Sequence, residues 1–502
     1  MSNPNPPAAA STASHWLTRM GWVALVAYAL FIALTAKTVA GGSDSSGYLN
    51  SARIFAAGQF LVDMRVPAEF GAPGQIERSH FHPLGFTAYA AEPRYAPTYP
   101  TGLPLLLALA GSLLGWDAGP LAIAVLAALG AVWLCYASAR ELGLGPPLAL
   151  AGATILATFP VFLFTSLQPL SDTLATTVTL AAWYAALRSR PHRTWALAAG
   201  AAFAFAVLVR PTNLLFAPAL LVLLGGDMRR LALFTVGGIP GAAWLAFYNH
   251  SLYGSVFRSG YGDIFSAFAL SYGAPTALHF AKWLALLLPA VVLALPFAAL
   301  ARSDRRRELL ALALAFGAIT GLYAFYEVSH EVWWCLRFIL PAVPALLLAA
   351  LLGVDHLTRH SPRLRAVAAA ALAVWAIANG WAWTRHLNVF LVPRYEQAYA
   401  DAAVAARTRL PKDALVAACA FSGALYYYNE NAVLRYDQIE APAFARYATL
   451  ARAAGRPIFA LIFDWEEAEA LRKHCPGDWI SLSTVANVGL WQLRDARPTA
   501  AK

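Results

Sequence analysis

The stretch WLTRMGWVALVAYALFIALTAKTV, residues 16–39, decides the class of fold to which this chain belongs. At 1.5 Å per residue it makes a helix of roughly 36 Å, enough to cross the roughly 30 Å of hydrocarbon in a bilayer. The run is longer than the apolar part of a typical signal peptide, although cleavage near the small residues 36–42 is the alternative. We therefore predict a membrane span that follows a cytoplasmic tail at residues 1–15.

The composition of the whole chain is that of a membrane protein. Of its 502 residues, 59% are apolar or aromatic and 13% are charged, with a mean hydropathy of +0.54, whereas a soluble domain has about 45–50% apolar and about 25% charged residues. An ordinary water-soluble enzyme is thereby excluded. The net charge of +10 indicates membrane sidedness rather than a nucleic-acid partner. Because the sequence has no GxGxxG, GxxxxGK[ST] or CxxC pattern, it predicts no nucleotide loop, zinc ribbon or cofactor.

Further apolar segments follow the first span, and together they predict about eleven transmembrane helices. One additional stretch, Leu103 to Trp116, is shorter and begins among three prolines, which favours an interfacial or re-entrant helix. The later predicted spans are residues 119–139, 146–167, 171–187, 195–209, 212–226, 231–248, 280–301, 309–326, 337–354 and 366–386.

The arginines indicate the orientation of these spans. If Leu103 to Trp116 does not cross, the basic connections all lie on one side, which the positive-inside rule assigns to the cytoplasm. If it does cross, the clusters around Arg190 and Arg305 face outward. We therefore predict a multi-pass protein of the cytoplasmic (inner) membrane, with the N-terminus cytoplasmic and the C-terminal domain extracytoplasmic. The basic connections contain Arg19, Arg140, Arg188, Arg190, Arg193, Arg229, Arg230, Arg302, Arg305, Arg306, Arg307, Arg359, Arg363 and Arg365.

Two external segments are long enough to carry function. The first, residues 40–118, belongs to a transmembrane domain of residues 16–387. The second, residues 388–502, predicts a small α/β domain, in which Cys419 and Cys475 either pair in an oxidising compartment or remain two buried thiols. Its β-like runs are 414–419, 432–436, 457–463 and 488–493, and its helical stretches include 395–409 and 465–473.

The interiors of the predicted spans contain essentially no ionisable residue, which disfavours proton relays and ion-coupled transport. Polar residues gather instead at the outer helix ends. Asp44, in GGSD at residues 41–44, and Asp172, in PLSD at residues 169–172, each stand at a predicted helix start. Each is either a helix cap or a catalytic carboxylate, since a carboxylate at a helix N-terminus stays ionised and can act as a base.

Three arginines lie on the predicted outer side, against the general charge bias. They are Arg94 in the first loop, Arg210 before a proline, and Arg337 after two tryptophans. Each either reaches toward lipid headgroups or joins the others in binding a phosphate. Tyr95, next to Arg94, is a further candidate for substrate binding. Tyr261 stands in a Gly- and Tyr-rich loop that we expect to line a sugar pocket. No metal site is predicted.

The order of these short motifs resembles that of the GT-C superfamily of polytopic glycosyltransferases. It is most similar to the glycosyltransferase family 39-like branch of protein O-mannosyltransferases, lipid A aminoarabinose transferases and RgtA/B/C/D-like galacturonosyltransferases. The resemblance covers about residues 15–390, and many members also have an extracytoplasmic C-terminal α/β domain. The matching motifs are Asp44 with Gly47-Tyr48, Ala52 and Gly58; Pro97, Pro100, Gly102 and Pro104 before Leu114-Gly115; Asp172; Arg210; Asn249, Tyr253-Gly254 and Gly260-Tyr261; and Arg337-Phe338 with Pro341 and Pro344.

The resemblance implies an all-α GT-C membrane fold and an inverting transfer of a sugar from a polyprenyl-phosphate donor at the outer membrane face. The acceptor would be lipid A, a polysaccharide or a protein of the envelope. Asp44 would be the base, with Asp172 a second catalytic candidate, and Arg210 and Arg337 would bind the lipid phosphate, with Arg94 a weaker third. A lipid or glycan flippase or transporter, and a non-catalytic envelope assembly protein, are the alternatives. The base assignment stays open because other acidic residues share the first loop, namely Asp63, Glu69, Glu77 and Glu92.

Overall fold

A computed structural model describes residues 8–71, 76–89 and 92–494, with side chains from residue 21 onward. This part of the chain is mostly helical, and many helices are apolar around most of their circumference, as expected where helices face lipid. The α-helices are Ala8–Thr35 (α1), Ser43–Ala56 (α2), Gly102–Leu114 (α3), Ala118–Glu141 (α4), Pro146–Thr158 (α5), Pro160–Ser166 (α6), Ser171–Arg188 (α7), Trp195–Val209 (α8), Ala217–Leu224 (α9), Met228–Tyr253 (α10), Gly273–Leu287 (α11), Leu295–Ala299 (α12), Arg306–Tyr323 (α13), Val343–Leu357 (α14), Pro362–His386 (α15), Val392–Arg407 (α16), Ser422–Tyr428 (α17) and Ala441–Ala453 (α18).

The strands form two small sheets. The three-stranded sheet has the order β1-β3-β2, and the five-stranded sheet has the order β5-β4-β6-β8-β7, in which β4 is parallel to β5 and β6 while β8 is antiparallel to β6 and β7. Helices α17 and α18 connect the parallel strands, as such connections require. The strands are Val62–Asp63 (β1), Phe86–Ala88 (β2), Arg94–Pro97 (β3), Leu415–Ala417 (β4), Ala432–Leu434 (β5), Ile458–Phe463 (β6), Trp479–Val485 (β7) and Val488–Leu493 (β8).

The predicted fold class, an all-α membrane protein with a small C-terminal α/β domain, is confirmed. The four β-like runs contain β4, β5, β6 and β8, but the sequence did not predict β7. This strand pairs only with β8 and leaves most of its side chains accessible, so it lacks the apolar run that marks a buried strand. The stretch 465–473 is not one regular helix: it lies within a 3-10 turn, Asp464–Glu466, and a π-helical segment, Ala468–His474. Cys419 and Cys475 are both free thiols.

Four helices in the described part of the chain are long and apolar enough to cross a membrane. A fifth span results if α5 and α6, bent by 61°, count as one. The bend falls at Phe159, whose backbone is extended because Pro160 follows it. The predicted span 280–301 likewise falls on more than one helix, α11 and α12, and the number of eleven spans remains a prediction. The four helices are Ala118–Glu141, Met228–Tyr253, Trp333–Leu357 and Pro362–His386; shorter apolar helices are Gly21–Thr35, Gly102–Leu114, Trp195–Val209 and Pro211–Leu224.

The chain divides into two compact units. The first is helical and contains Leu121–Leu245 and Asp263–Phe390, together with the N-terminal segment up to Ala36. Its core consists almost entirely of Ala, Leu, Ile, Val and Phe side chains, so burial of apolar surface and close packing hold it together.

The second unit joins the segment that we predict to be the first external loop, residues 40–118, to the C-terminal domain. It contains Lys37–Pro120, Ala246–Gly262 and the residues from Leu391 onward. Phe70 and Phe81 of the loop belong to the same hydrophobic core as Leu415 and Leu434 of the sheet, and both phenylalanines are buried. The loop therefore folds as part of this domain, whereas the division of the chain by membrane side remains a prediction.

Arg435 connects the first loop to the sheet of the C-terminal domain. It directly follows β5, is 4% exposed and makes two hydrogen bonds of 2.7 and 2.6 Å to the Asp437 carboxylate. Its backbone N–H donates to the His80 carbonyl at 2.7 Å, and its guanidinium donates to the His82 carbonyl at 3.2 Å. The carboxyl ends of parallel strands are where open α/β sheets bind ligands. In this domain a segment of the same chain lies there.

Candidate active site

Asp44 lies in the first turn of α2, in the second unit. One of its carboxylate oxygens, Oδ1, accepts a hydrogen bond of 2.8 Å from the Tyr99 hydroxyl, which is also 3.1 Å from the Ser43 hydroxyl. The helix N-terminus favours negative charge at this position. The sequence-predicted base is therefore held by a neutral donor and by a helix end, both of which stabilise its ionised form.

Tyr99 can approach α2 closely because Gly47 lacks a side chain. A Cβ at Gly47 would lie 2.1 Å from the Tyr99 ring. Burial, with the adjacent Asp44 carboxylate second, raises the pKa of Tyr99 well above its usual value, so its hydroxyl remains protonated and able to donate. The Tyr261 ring lies 6.0 Å from that of Tyr99, nearly perpendicular to it, and is 47% exposed. Tyr261 thus places an accessible aromatic face close to this tyrosine.

Glu396, from α16, approaches the same helix end. Its carboxylate accepts hydrogen bonds from the Gly42 backbone N–H at 3.3 and 3.4 Å and from the Ser45 hydroxyl. Burial, together with the charge of Asp44, raises the pKa of Glu396 to about 7, although the two hydrogen bonds lower it. This carboxyl therefore changes its charge near neutral pH.

The second group of predicted residues lies in the first unit. Asp172, in the first turn of α7, is 3% exposed. Arg210 donates to Asp172 Oδ1, and the Arg337 guanidinium lies 4.0 Å from Asp172 Oδ2. Arg210 also donates to the Arg337 carbonyl at 3.3 Å. Two arginines separated by more than a hundred residues thus meet at one buried carboxylate, and the cluster has one net positive charge.

Local sequence explains how Arg210 reaches this position. Pro211 disfavours helical geometry in the residue before it, and Arg210 has an extended backbone directly after α8. The Tyr323 hydroxyl lies 3.5 Å from the Arg210 guanidinium, and the Tyr323 ring stacks on Phe338 at 5.2 Å. The Arg337 guanidinium lies 5.3 Å from the centre of the Phe338 ring. Aromatic rings therefore support both cations, whose side chains remain 13% and 17% exposed.

The structure places Arg94 and Tyr95 differently from the other predicted residues. Arg94 donates to the Leu61 carbonyl at 3.1 Å and lies 3.5 Å from Asp63 and 3.4 Å from Glu92. Tyr95 is fully buried and donates to a backbone carbonyl. Its side chain is not accessible to a substrate, so we leave Tyr95 out of the proposed site.

Sequence reasoning missed several residues that complete these two clusters. Tyr99 stands inside the proline motif at residues 97–104, but nothing local indicates that it faces Asp44. Glu396 lies on the buried face of α16, together with Pro393 and several alanines. A buried carboxylate is unfavourable without partners, so this position indicates that Glu396 is hydrogen-bonded. Within the described ranges no group of three or more His, Cys, Asp or Glu side chains forms a metal site.

Comparison with known proteins identifies the fold. The sequence model of the dolichyl-phosphate-mannose-protein mannosyltransferase family matches residues 98–248, a range that contains Tyr99, Asp172 and Arg210. No curated protein sequence matches the chain. The chain has the fold of the GT-C superfamily of membrane glycosyltransferases, as the motifs predicted.

Solved structures of this superfamily cover nearly the whole chain. ArnT from Cupriavidus metallidurans in the apo state has a TM-score of 0.62 at 15% identity, over 96% of this chain and 98% of that chain. The same protein bound to undecaprenyl phosphate has a TM-score of 0.59 at 14% identity, over 94% and 98%. The Archaeoglobus fulgidus oligosaccharyltransferase tethered to an acceptor peptide has a TM-score of 0.54 at 13% identity, over 94% and 74%.

Proposed function

We propose that this chain is an inverting glycosyltransferase that moves a sugar from a polyprenyl-phosphate-linked donor to an envelope acceptor, which is lipid A, a polysaccharide or a protein. The reaction takes place at the outer face of the cytoplasmic membrane, with the N-terminus inside and the C-terminal domain outside. The structurally similar ArnT was crystallised with undecaprenyl phosphate, and a lipid phosphate of that class is the ligand that we expect here.

The observation that carries this proposal is the meeting of Arg210 and Arg337 at Asp172. An arginine can bind phosphate oxygens with two parallel hydrogen bonds. When the bond between the sugar and the phosphate breaks, the leaving phosphate gains negative charge, and cations already held in place stabilise that charge without reorganising. We assign this role to the two arginines.

We assign to Asp172 a positioning role rather than that of a base. Each of its oxygens faces an arginine, and the side chain is buried. Removing a partner from such a buried ion pair costs about 3–5 kcal/mol, so this carboxylate is suited to holding the two guanidinium groups in a fixed geometry.

Asp44 is the base in our proposal. The acceptor hydroxyl attacks the anomeric carbon, the bond from that carbon to the phosphate oxygen breaks, and the hydroxyl proton passes to the Asp44 carboxylate. The products are the glycosylated acceptor and free polyprenyl phosphate. Tyr99 holds Asp44 Oδ1 at 2.8 Å, and the accessible ring of Tyr261 provides an aromatic surface for a sugar face. An ion-coupled transporter needs ionisable groups in the middle of its spans, whereas in the described part of the chain the four candidate spans have such groups only near their ends.

The test is Asp44→Asn in membrane vesicles that contain a radiolabelled pool of polyprenyl-phosphate-linked sugars. We expect release of free polyprenyl phosphate to fall about 100-fold or more, to a small residual rate, while the protein remains folded, because asparagine keeps the side-chain shape and cannot take the proton. Asp401→Asn, which changes an exposed carboxylate on α16, is the matched control and should retain wild-type release. Full turnover by the Asp44→Asn protein would exclude Asp44 as the base.

A further inference from the structure

A backbone N–H group at the start of α2 is paired with a side chain from a distant part of the sequence. The first backbone N–H groups of a helix have no partner within it, and an N-cap side chain normally provides one. Here the N-cap residue is Gly42, which makes no side-chain cap. The Gly42 N–H donates to a carboxylate more than three hundred residues away in sequence, that of Glu396, which takes the part that a glutamate of the same helix takes in a capping box.

The surroundings of Glu396 fit this contact closely. A Cβ at Gly41 would lie 2.1 Å from one carboxylate oxygen of Glu396, so only glycine leaves room for it there. The glutamate is 8% exposed, and burial of a carboxyl group is unfavourable unless it is hydrogen-bonded. Its bonds to Gly42 and Ser45 supply that compensation.

Glu396 thereby holds Gly42 and Ser45, the residues two before and one after Asp44. Ser45 bonds to Glu396, whereas Ser43 contacts the Tyr99 hydroxyl, which itself donates to Asp44. The Asp44 side chain lies between two anchored neighbours, so its backbone has little freedom to rotate. We propose that Glu396 is a positioning residue that orients the Asp44 carboxylate for proton transfer through the Gly42 N–H and the Ser45 hydroxyl.

This inference rests on the proposed function, because it gives Glu396 an effect on turnover only if Asp44 is the base. A misplacement of about 1 Å in a reacting group can cost about 100-fold in rate. We therefore expect Glu396→Ala to lower the rate of polyprenyl phosphate release at saturating donor by tenfold or more, with little change in the KM for the donor. Glu396→Gln keeps one hydrogen-bond acceptor and should retain an intermediate rate.

A double-mutant cycle separates positioning from simple structural damage. The residual release by Asp44→Asn should not fall further when Glu396→Ala is added, because Glu396 acts through Asp44. Asp401→Ala, an exposed carboxylate on the same helix α16, is the control and should leave both constants unchanged. A Glu396→Ala protein with a wild-type rate, or one whose defect multiplies with that of Asp44→Asn, would overturn the proposal.

Amide hydrogen exchange provides a readout that does not depend on activity. We expect faster exchange in Glu396→Ala confined to peptides covering residues 42–50, because the anchored helix end opens locally. If the wild-type protein itself releases no polyprenyl phosphate, the proposed function fails, while the exchange result still decides whether Glu396 fixes this turn. Unchanged exchange at residues 42–50 would refute the positioning contact in either case.

Discussion

Replacing Glu396 with glutamine should remove a pH dependence of stability that this one carboxyl group introduces. Burial raises the pKa of Glu396 from 4.5 to about 7, and the negative charge of Asp44 also raises it. The hydrogen bonds from Ser45 and Gly42 act in the opposite direction and lower it. Tyr399 is a further titratable neighbour. A glutamine has nearly the same shape and does not titrate, so it isolates the contribution of the charge.

The sign of the effect follows from the direction of the shift. Because the folded pKa lies above the unfolded one, the unfolded chain loses its proton first as the pH rises, and stability falls between pH 4.5 and about 7 and then levels off. At 1.36 kcal/mol per pKa unit the full shift is worth about 3 kcal/mol. Roughly 2 kcal/mol of this loss falls between pH 5.5 and pH 8.5.

The assay is thermal unfolding in detergent, followed by tryptophan fluorescence at pH 5.5 and pH 8.5. For a cooperative unit of 150–250 residues, 1 kcal/mol shifts Tm by about 2–4 °C. Raising the pH should therefore lower the Tm of the wild type by several degrees more than that of Glu396→Gln. Asp401→Asn, which alters an exposed carboxylate, should behave as the wild type. Equal losses in the wild type and in Glu396→Gln would refute the reasoning.

Two further substitutions test the other groups of the site. Arg337→Ala removes one charge-assisted contact to the donor phosphate, typically worth about 1.5–3 kcal/mol, at the group that gains charge in the transition state. The kcat/KM for the labelled lipid-linked sugar should therefore fall by about ten- to a hundredfold, and an unchanged kcat/KM would count against the assignment. Tyr99→Phe removes the hydroxyl that donates to Asp44 at 2.8 Å. It should lower the rate of polyprenyl phosphate release and leave Tm nearly unchanged. A wild-type rate would show that this hydrogen bond is dispensable.

The sequence was informative where the signal was local. Apolar runs and their lengths predicted the helical fold, and the position of Arg210 before Pro211 predicted a break between helices. Asp172 was singled out as a carboxylate at a predicted helix start, and Arg210 and Arg337 as arginines on the predicted outer side, against the general charge bias. Their meeting at one carboxylate depends on how distant helices pack, which no local pattern encodes.

Tyr95 and Glu396 illustrate the two ways in which prediction fell short. Tyr95 was grouped with Arg94 as a neighbour, but successive residues of a strand face opposite sides. On β3 this leaves Arg94 partly accessible and places Tyr95 in the core, so a recognised strand would have separated them. Glu396 contacts the helix of Asp44 across more than three hundred residues of sequence, and only its position among the buried residues of α16 indicated a special environment.

Two features tie the first loop to the C-terminal sheet. Arg435 bonds to the carbonyl groups of residues 80 and 82, and the loop contributes phenylalanines to the sheet core. Both features limit how domains can be exchanged between such proteins. The part that can be exchanged between related chains is discontinuous. A chimaera that receives only the segment from Leu391 onward would inherit a sheet without its covering side chains, whereas one that also receives residues 40–118 would inherit both halves of the packing. Crossover points for domain exchange should therefore be placed in pairs.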